Sequence, residues 1–255
     1  DTLDGAVANM QVKVLLLGLG EAGKTSFANA IVEKRSRLMA KEARTVGIEQ
    51  RVLEVPTAMG TAQLLIYDFA GQKDYYITHH LFLTGRALYM LVFDLHKYQR
   101  DDASFQRLVM DWVRSIQARC PGVKLMLVGT HCDMIKDSET GEVDQAEITA
   151  RCRHVVQSLQ AEEEKDVNQL KYCLKELTDP LTRKVLAGRE AEAEQIERLL
   201  SNRLAMPQKV NAVSCWEGLQ GIDQTVADIT EAIQQKQYFG QLGELIPQSY
   251  KQLIA

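Results

Sequence analysis

Short apolar runs alternate with amphipathic stretches through the first half of the chain. Val12 to Leu17 is an apolar run that breaks into glycines at Gly18 and Gly20. A helix is expected from about Lys24, because Phe27, Ala30 and Ile31 then share one face. Arg51 to Val55 and Gln63 to Asp68 read as two strands joined by a hairpin-type turn over Pro56 to Gly60. Ala87 to Asp94 is strand-like, and Phe105 to Ala118 is helical, with Leu108, Val109, Trp112 and Ile116 at core spacing. Val123 to Gly129 is another buried run and Lys209 to Ser214 a weaker one. A last helix is expected from Leu219, with Ile222, Val226, Ile229 and Ile233 in phase. Nearly every strand run is apolar on both faces. That predicts an α/β fold with a mostly parallel central sheet flanked by helices.

From Asp144 to about Leu204 the strand signal disappears, and Glu, Gln, Lys, Arg, Ala and Leu dominate. Leu170, Leu174, Leu177 and Leu181 form one stripe, and Ile196, Leu199, Leu200 and Leu204 another. Pro180 and Gly188 punctuate the stretch, which reads as two or three helices inserted before the last strand and packed on the sheet edge. Glu162 to Lys165 reads as a solvated helical face.

The composition is that of a globular protein: 255 residues, 45 % hydrophobic and 25 % charged. A net charge of −4 gives no cationic field for nucleic acid or an anionic membrane. The apolar runs Val14 to Leu17 and Ala87 to Phe93 are too short to span a bilayer, so no transmembrane segment is expected. Five widely spaced cysteines without a C-x-x-C pair read as reduced intracellular thiols, which suits a cytoplasmic location.

The strongest chemical signal is Gly18-Leu19-Gly20-Glu21-Ala22-Gly23-Lys24-Thr25, which matches G-x-x-x-x-G-K-[ST] between a buried strand and a helix start. Glycines there let backbone N–H groups turn around phosphate oxygens, and the helix N-terminus, continuing through Ser26, adds its dipole. Lys24 would reach the β- and γ-phosphates, and the Thr25 hydroxyl would ligate Mg²⁺. Glu21 is unfavourable beside phosphates unless it points to solvent. A second strand ends in Asp68-Phe69-Ala70-Gly71-Gln72. There Asp68 can hold Mg²⁺ through a water, and the Gly71 N–H can sense a γ-phosphate. Gln72 is suited to orient an attacking water, or is simply a polar loop residue. A third strand ends in Thr130-His131-Cys132-Asp133. A carboxylate at Asp133 can accept from guanine N1–H and N2, a donor pair that adenine does not offer, which argues for GTP over ATP.

The order of these motifs, with Thr45-Val46-Gly47-Ile48 and Ser214-Cys215, resembles a Ras-like small-GTPase domain. More narrowly it is similar to the Roc domain of Roco proteins, which include the leucine-rich-repeat kinases. D-F-A-G at 68–71 and T-H-x-D at 130–133 discriminate, and Leu81 to Thr84 ahead of Ala87-Leu88-Tyr89 is also similar to the strand entry of Roc domains. The resemblance implies a G domain over residues 11–236, with the helical insertion at 144–204, a linker at 1–10, and the opening of a COR domain at 237–255. It implies that Thr45 closes on Mg²⁺ and γ-phosphate, so that the metal set is Thr25, Thr45 and Asp68. It also implies that Ser214 and Cys215, before Trp216, steady the guanine. His131 stands where most G domains have a lysine over the purine. Implied partners are a guanine nucleotide, a second copy of the chain through an adjoining COR domain, and unidentified effectors within a larger signalling scaffold.

Three functions fit these residues: a switch that binds GTP/GDP with Mg²⁺ and slowly hydrolyses GTP, a GTP/GDP-binding module with negligible hydrolysis, and a P-loop ATPase or kinase. Asp133 and the Ser214-Cys215 loop argue against the third. The first, with Gln72, Lys24 and Thr45 as catalytic residues, is the expectation. Cys132 and Cys215 lie in the two base-recognition loops, and oxidation there is expected to weaken nucleotide binding.

Overall fold

The structure, a computed structural model, describes residues 6–36, 47–69, 84–179, 189–216 and 218–247. Its centre is a six-stranded sheet. Strand β1 (Ala6–Ala8) lies apart, and the sheet proper starts at β2 (Gln11–Leu17), followed by helix α1 (Lys24–Glu33). Next come β3 (Ile48–Thr57), β4 (Gly60–Phe69) and β5 (Ala87–Asp94). The helical stretch α2 has an α turn at Asp102–Phe105, a π-helical segment at Gln106–Met110 and an α segment at Asp111–Arg119. Then follow β6 (Lys124–Thr130), α3 (Gln145–Thr178), α4 (Glu190–Ser201), β7 (Val210–Ala212), α5 (Ile222–Ile233), α6 (Lys236–Phe239) and β8 (Leu245–Pro247).

The strand order is β3-β4-β2-β5-β6-β7, parallel except for the antiparallel β3–β4 hairpin. The chain leaves β2 toward β4 on one side and returns to β5 on the other. The crevice at the carboxyl ends beside β2 is therefore the topological switch point, where α/β sheets bind ligands. The hairpin is tighter than its sequence suggested: the ladder runs to Thr57 opposite Gly60, so only Ala58 and Met59 form the loop. The Thr57 hydroxyl donates to the Gly60 carbonyl at 2.6 Å, and Gly60 at φ +121° supplies a conformation unfavourable to L side chains.

Strand alternation divides the core in two. Leu15, Leu17, Tyr89, Leu91, Phe93, Leu125 and Leu127 face α2 and α3, where they meet Trp112, Ile116, Ile148, Val155 and Leu159. Val12, Val14, Leu16, Leu64, Ile66, Leu88, Met90 and Val92 face α1 and α5, where they meet Phe27, Ile31, Ile229 and Ile233. Each such fully buried side chain contributes roughly 1.5–3 kcal/mol of transfer free energy.

Two regions differ from the sequence expectation. First, α3 is one helix of 34 residues, and its first half belongs to the domain core. Asp144 caps it, accepting from the Glu147 N–H at 2.8 Å, and its buried residues Ile148, Val155 and Leu159 pack on the sheet. Only beyond Leu159 does α3 leave the sheet and pair with α4. There Glu162 and Glu163 are half-buried ion-pair partners of Arg114 and Arg203 rather than a wholly solvated face. Pro180 and Leu181 lie outside the described residues.

Second, residues 6–8, expected in a linker, form β1 and pair antiparallel with β8 from the segment after residue 236. The Asn9 N–H donates to Glu244 O, and the Gly243 N–H to Asn9 O, both at 2.8 Å. Phe239 and Leu242 are buried in the α1/α5 core. The start of this C-terminal segment thus packs as part of the domain. Among the described residues no helix is long and apolar enough to cross a membrane.

Candidate nucleotide site

The loop between β2 and α1 is fixed by close backbone packing. Gly18 has φ +140°, and a Cβ there would lie 2.0 Å from the Val92 carbonyl oxygen on β5, so only glycine fits. Gly23 (φ +82°) is the N-cap of α1, whose first turn carries no acidic side chain. A helix N-terminus of this kind favours an anion. Leu19, Thr25 and Ser26 are half-buried, Ala22 is buried, and Gly20 and Glu21 are exposed, so the Glu21 carboxylate sits on the solvent side of the loop.

Lys24 is buried, and its Nζ donates to the carbonyl oxygens of Gly18 (2.9 Å) and Leu19 (2.8 Å). Burial pushes its ammonium down to about 8, and the Asp68 carboxylate opposes that shift. Asp68 is wholly buried at the end of β4, next to β2 in register with Leu16. The Thr25 hydroxyl donates to Asp68 Oδ2 at 2.5 Å. Burial pushes the Asp68 carboxyl up, and the Thr25 hydrogen bond with the Lys24 and Arg51 charges pulls it back. Asp68 Oδ1 has no hydrogen-bond partner among the described residues. A buried carboxylate with one free oxygen beside a hydroxyl and an ammonium can bind a hydrated cation.

The end of β6 forms the far wall. Thr130 Oγ1 lies 2.8 Å from the Ala22 carbonyl oxygen, 3.1 Å from that of Phe93 and 2.9 Å from His131 Nδ1. His131 adopts φ +58°, and its Nδ1 stands 3.6 Å from Asp94 Oδ1 at the end of β5. Asp133 follows, half-buried, in the 3-10 turn Cys132–Met134. The loop after β7 is tied to this wall: the Val213 N–H donates to Gly129 O, and the Cys132 N–H to Val213 O. Ser214 is buried, its N–H donates to Gln220 O, and its hydroxyl accepts from the Trp216 N–H at 3.1 Å. Cys215 is buried, the Ser36 hydroxyl donates to its carbonyl, and Trp216 is 47 % exposed.

The β2–α1 loop, Asp68, Thr130 to Asp133 and Ser214 to Trp216 therefore share one edge of the sheet. Thr45, Gly71 and Gln72 lie outside the described residues. The expected redox sensitivity meets a physical obstacle. Burial pushes the Cys132 thiol up to about 11 and the Cys215 thiol up to about 12, and the Asp133 charge adds to both shifts. Thiolate, the reactive form, is scarce in both at neutral pH. Sequence reasoning missed Arg51 and Asp94. An arginine on an alternating strand and an aspartate at a strand end are ordinary features until the register brings them to the crevice.

Residues 13–133 match the family described as "Ras of Complex, Roc, domain of DAPkinase". The chain is 24 % identical to the Malignant fibrous histiocytoma-amplified sequence 1 homolog of Mus musculus, over 95 % of this chain and 25 % of that protein. It is 32 % identical to the probable serine/threonine-protein kinase roco11 of Dictyostelium discoideum, over 53 % of this chain and 9 % of that one. It thus spans a quarter or less of either relative. The Methanosarcina barkeri Roco2 RocCORdC structure, bound to GDP, superimposes with a TM-score of 0.57 at 17 % identity, covering 97 % of this chain and 55 % of that one. Residues 13–133 of this chain thus match a Roc domain, within a fold shared with the Methanosarcina barkeri Roco2 structure.

Proposed function

We propose that this chain binds GTP and GDP with Mg²⁺ and slowly hydrolyses GTP to GDP, as the switch of a larger signalling scaffold. The observation that carries the reading is the 2.5 Å contact between Thr25 and Asp68 beneath the Gly18–Thr25 loop, with buried Lys24 beside them. Lys24 now spends its protons on two loop carbonyls, and a phosphate chain would draw it to the β/γ oxygens. The unpartnered Asp68 Oδ1 fits a magnesium ion held by the Thr25 hydroxyl and, through water, by Asp68. Such an ion would supply positive charge beside the β- and γ-phosphates.

The protein's own residues supply the rest. Loop amides and Lys24 hold the phosphates in line, Thr45 and the Gly71 N–H close on the γ-phosphate, and Gln72 orients the attacking water. Asp133 accepts from guanine, His131 lies over the purine, and Ser214, Cys215 and Trp216 border it. The GDP in the Methanosarcina barkeri structure supports the choice of nucleotide. Residues 11–236 carry the proposed nucleotide chemistry, and 237–255, whose start packs against them, are the proposed opening of a COR domain through which two copies pair in the cytoplasm.

Single-turnover phosphate release from GTP and Mg²⁺ tests the reading, wild type beside Gln72→Leu. Release that is lost in the variant supports hydrolysis with Gln72 positioning water. GTP bound without phosphate release above background would leave the alternative, a binding module with negligible hydrolysis.

A further inference from the structure

We propose that Arg51 is an internal counter-cation for Asp68 that competes with the divalent ion for this carboxylate; the inference rests on the role of Asp68 given above. Arg51 lies on edge strand β3 opposite Ile66, so it shares a sheet face with Asp68 two positions further along β4. Its Nη1 stops 3.7 Å from Asp68 Oδ2, a separation too long for a hydrogen bond. The Thr25 hydroxyl already holds that oxygen at 2.5 Å. The other end of the guanidinium is anchored outward, where Nη2 donates to Glu49 Oε2 at 2.7 Å.

The fork is therefore split between a partly exposed carboxylate at Glu49 and a buried one at Asp68. Two buried polar atoms result that have no hydrogen-bond partner among the described residues, Arg51 Nη1 and Asp68 Oδ1. Unsatisfied buried groups are rare and call for a reason. Here one atom belongs to a guanidinium whose other nitrogen is held by Glu49, and the other to the carboxylate that this guanidinium approaches.

Through-space attraction between them neutralises Asp68 without filling its coordination position. A divalent ion arriving with the nucleotide meets an extra positive charge beside its carboxylate and binds more weakly. Without the metal, the same charge offsets the repulsion between Asp68 and the nucleotide phosphates. Both effects make nucleotide retention less dependent on Mg²⁺. Glu49 offers the guanidinium a second position when the metal enters.

The test uses the whole chain loaded with a fluorescent GDP analogue, and measures the rate of release in EDTA and in saturating Mg²⁺. For Arg51→Gln the ratio of the two rates should rise roughly five- to tenfold over wild type, as expected for removing one charge a few ångströms away in a partly screened site. Arg51→Lys, which keeps the charge, should stay within about twofold of wild type. Release is read from loaded protein, so every variant that reports is folded. An unchanged or smaller ratio in Arg51→Gln, or an Arg51→Lys that behaves like it, overturns the inference and leaves the nucleotide reading intact. A wild-type chain that retains no GDP in either condition overturns both.

Discussion

Thr130 Oγ1 lies 2.8 Å from the carbonyl oxygen of Ala22, and this buried contact joins the β2–α1 loop to the end of β6, just ahead of Asp133. The two segments are 108 residues apart in sequence. Under the proposed function, their union sets the distance between the residues assigned to the phosphates and those assigned to the base.

Thr130→Val keeps the shape and removes the donor, leaving the Ala22 carbonyl without this partner. An unsatisfied buried acceptor costs about 1–3 kcal/mol. Urea unfolding should show a loss in that range, together with weaker GDP binding. Wild-type stability in the variant would show that the contact fixes nothing.

Gly18→Ala is expected to be severe. The added Cβ would meet the Val92 carbonyl oxygen at 2.0 Å, and φ +140° is unfavourable for alanine. Because β2 and β5 both lie in the sheet centre, the clash cannot relax cheaply, and a loss of about 3 kcal/mol or more is expected. Thermal unfolding measures it; a variant melting with wild type would contradict the packing described for the loop.

Lys24 makes the stability of the nucleotide-free protein depend on pH. In the unfolded chain it keeps its proton to about 10.5, and in the folded chain only to about 8. Below pH 8 both states are protonated, and burial of the ammonium opposes folding. Between these values the unfolded state binds more protons, so stability rises with pH. Lys24→Met should abolish GDP binding and remove this rise. The wild-type minus variant difference in unfolding free energy should climb by on the order of 2 kcal/mol from pH 7.5 to 9.5. Denaturant unfolding at both pH values checks it, and a flat difference would refute the assignment.

Much of this was legible in the sequence because the relevant signals are local. A buried strand, a glycine loop and a helix start at Lys24 are contiguous, as are the strand ending in Asp68 and the strand ending in Thr130. Other features depend on partners far along the chain. Glu163 is half-buried and paired with Arg203, which follows α4, whereas composition alone made it a solvated residue. The continuity of α3 was hidden because its pattern changes where it leaves the sheet: buried Ile148, Val155 and Leu159 are followed by half-buried Leu170, Leu174 and Leu177. The β1–β8 pairing joins strands of three residues each, too short to carry a periodic signal. The Arg51–Asp68 approach follows from the β3–β4 register, which a tight turn at Ala58-Met59 sets.

The proposed choice of guanine rests on Asp133, and competition measures it most directly. The chain is loaded with a fluorescent GDP analogue in Mg²⁺ and challenged with unlabelled GDP or ADP, for wild type and Asp133→Asn. The account predicts displacement by GDP at concentrations at least about 100-fold below those needed for ADP, as a site built around a polar donor pair discriminates strongly. It also predicts that Asp133→Asn collapses most of that difference. Equal displacement by ADP in the wild type, or undiminished guanine selectivity in Asp133→Asn, would contradict it.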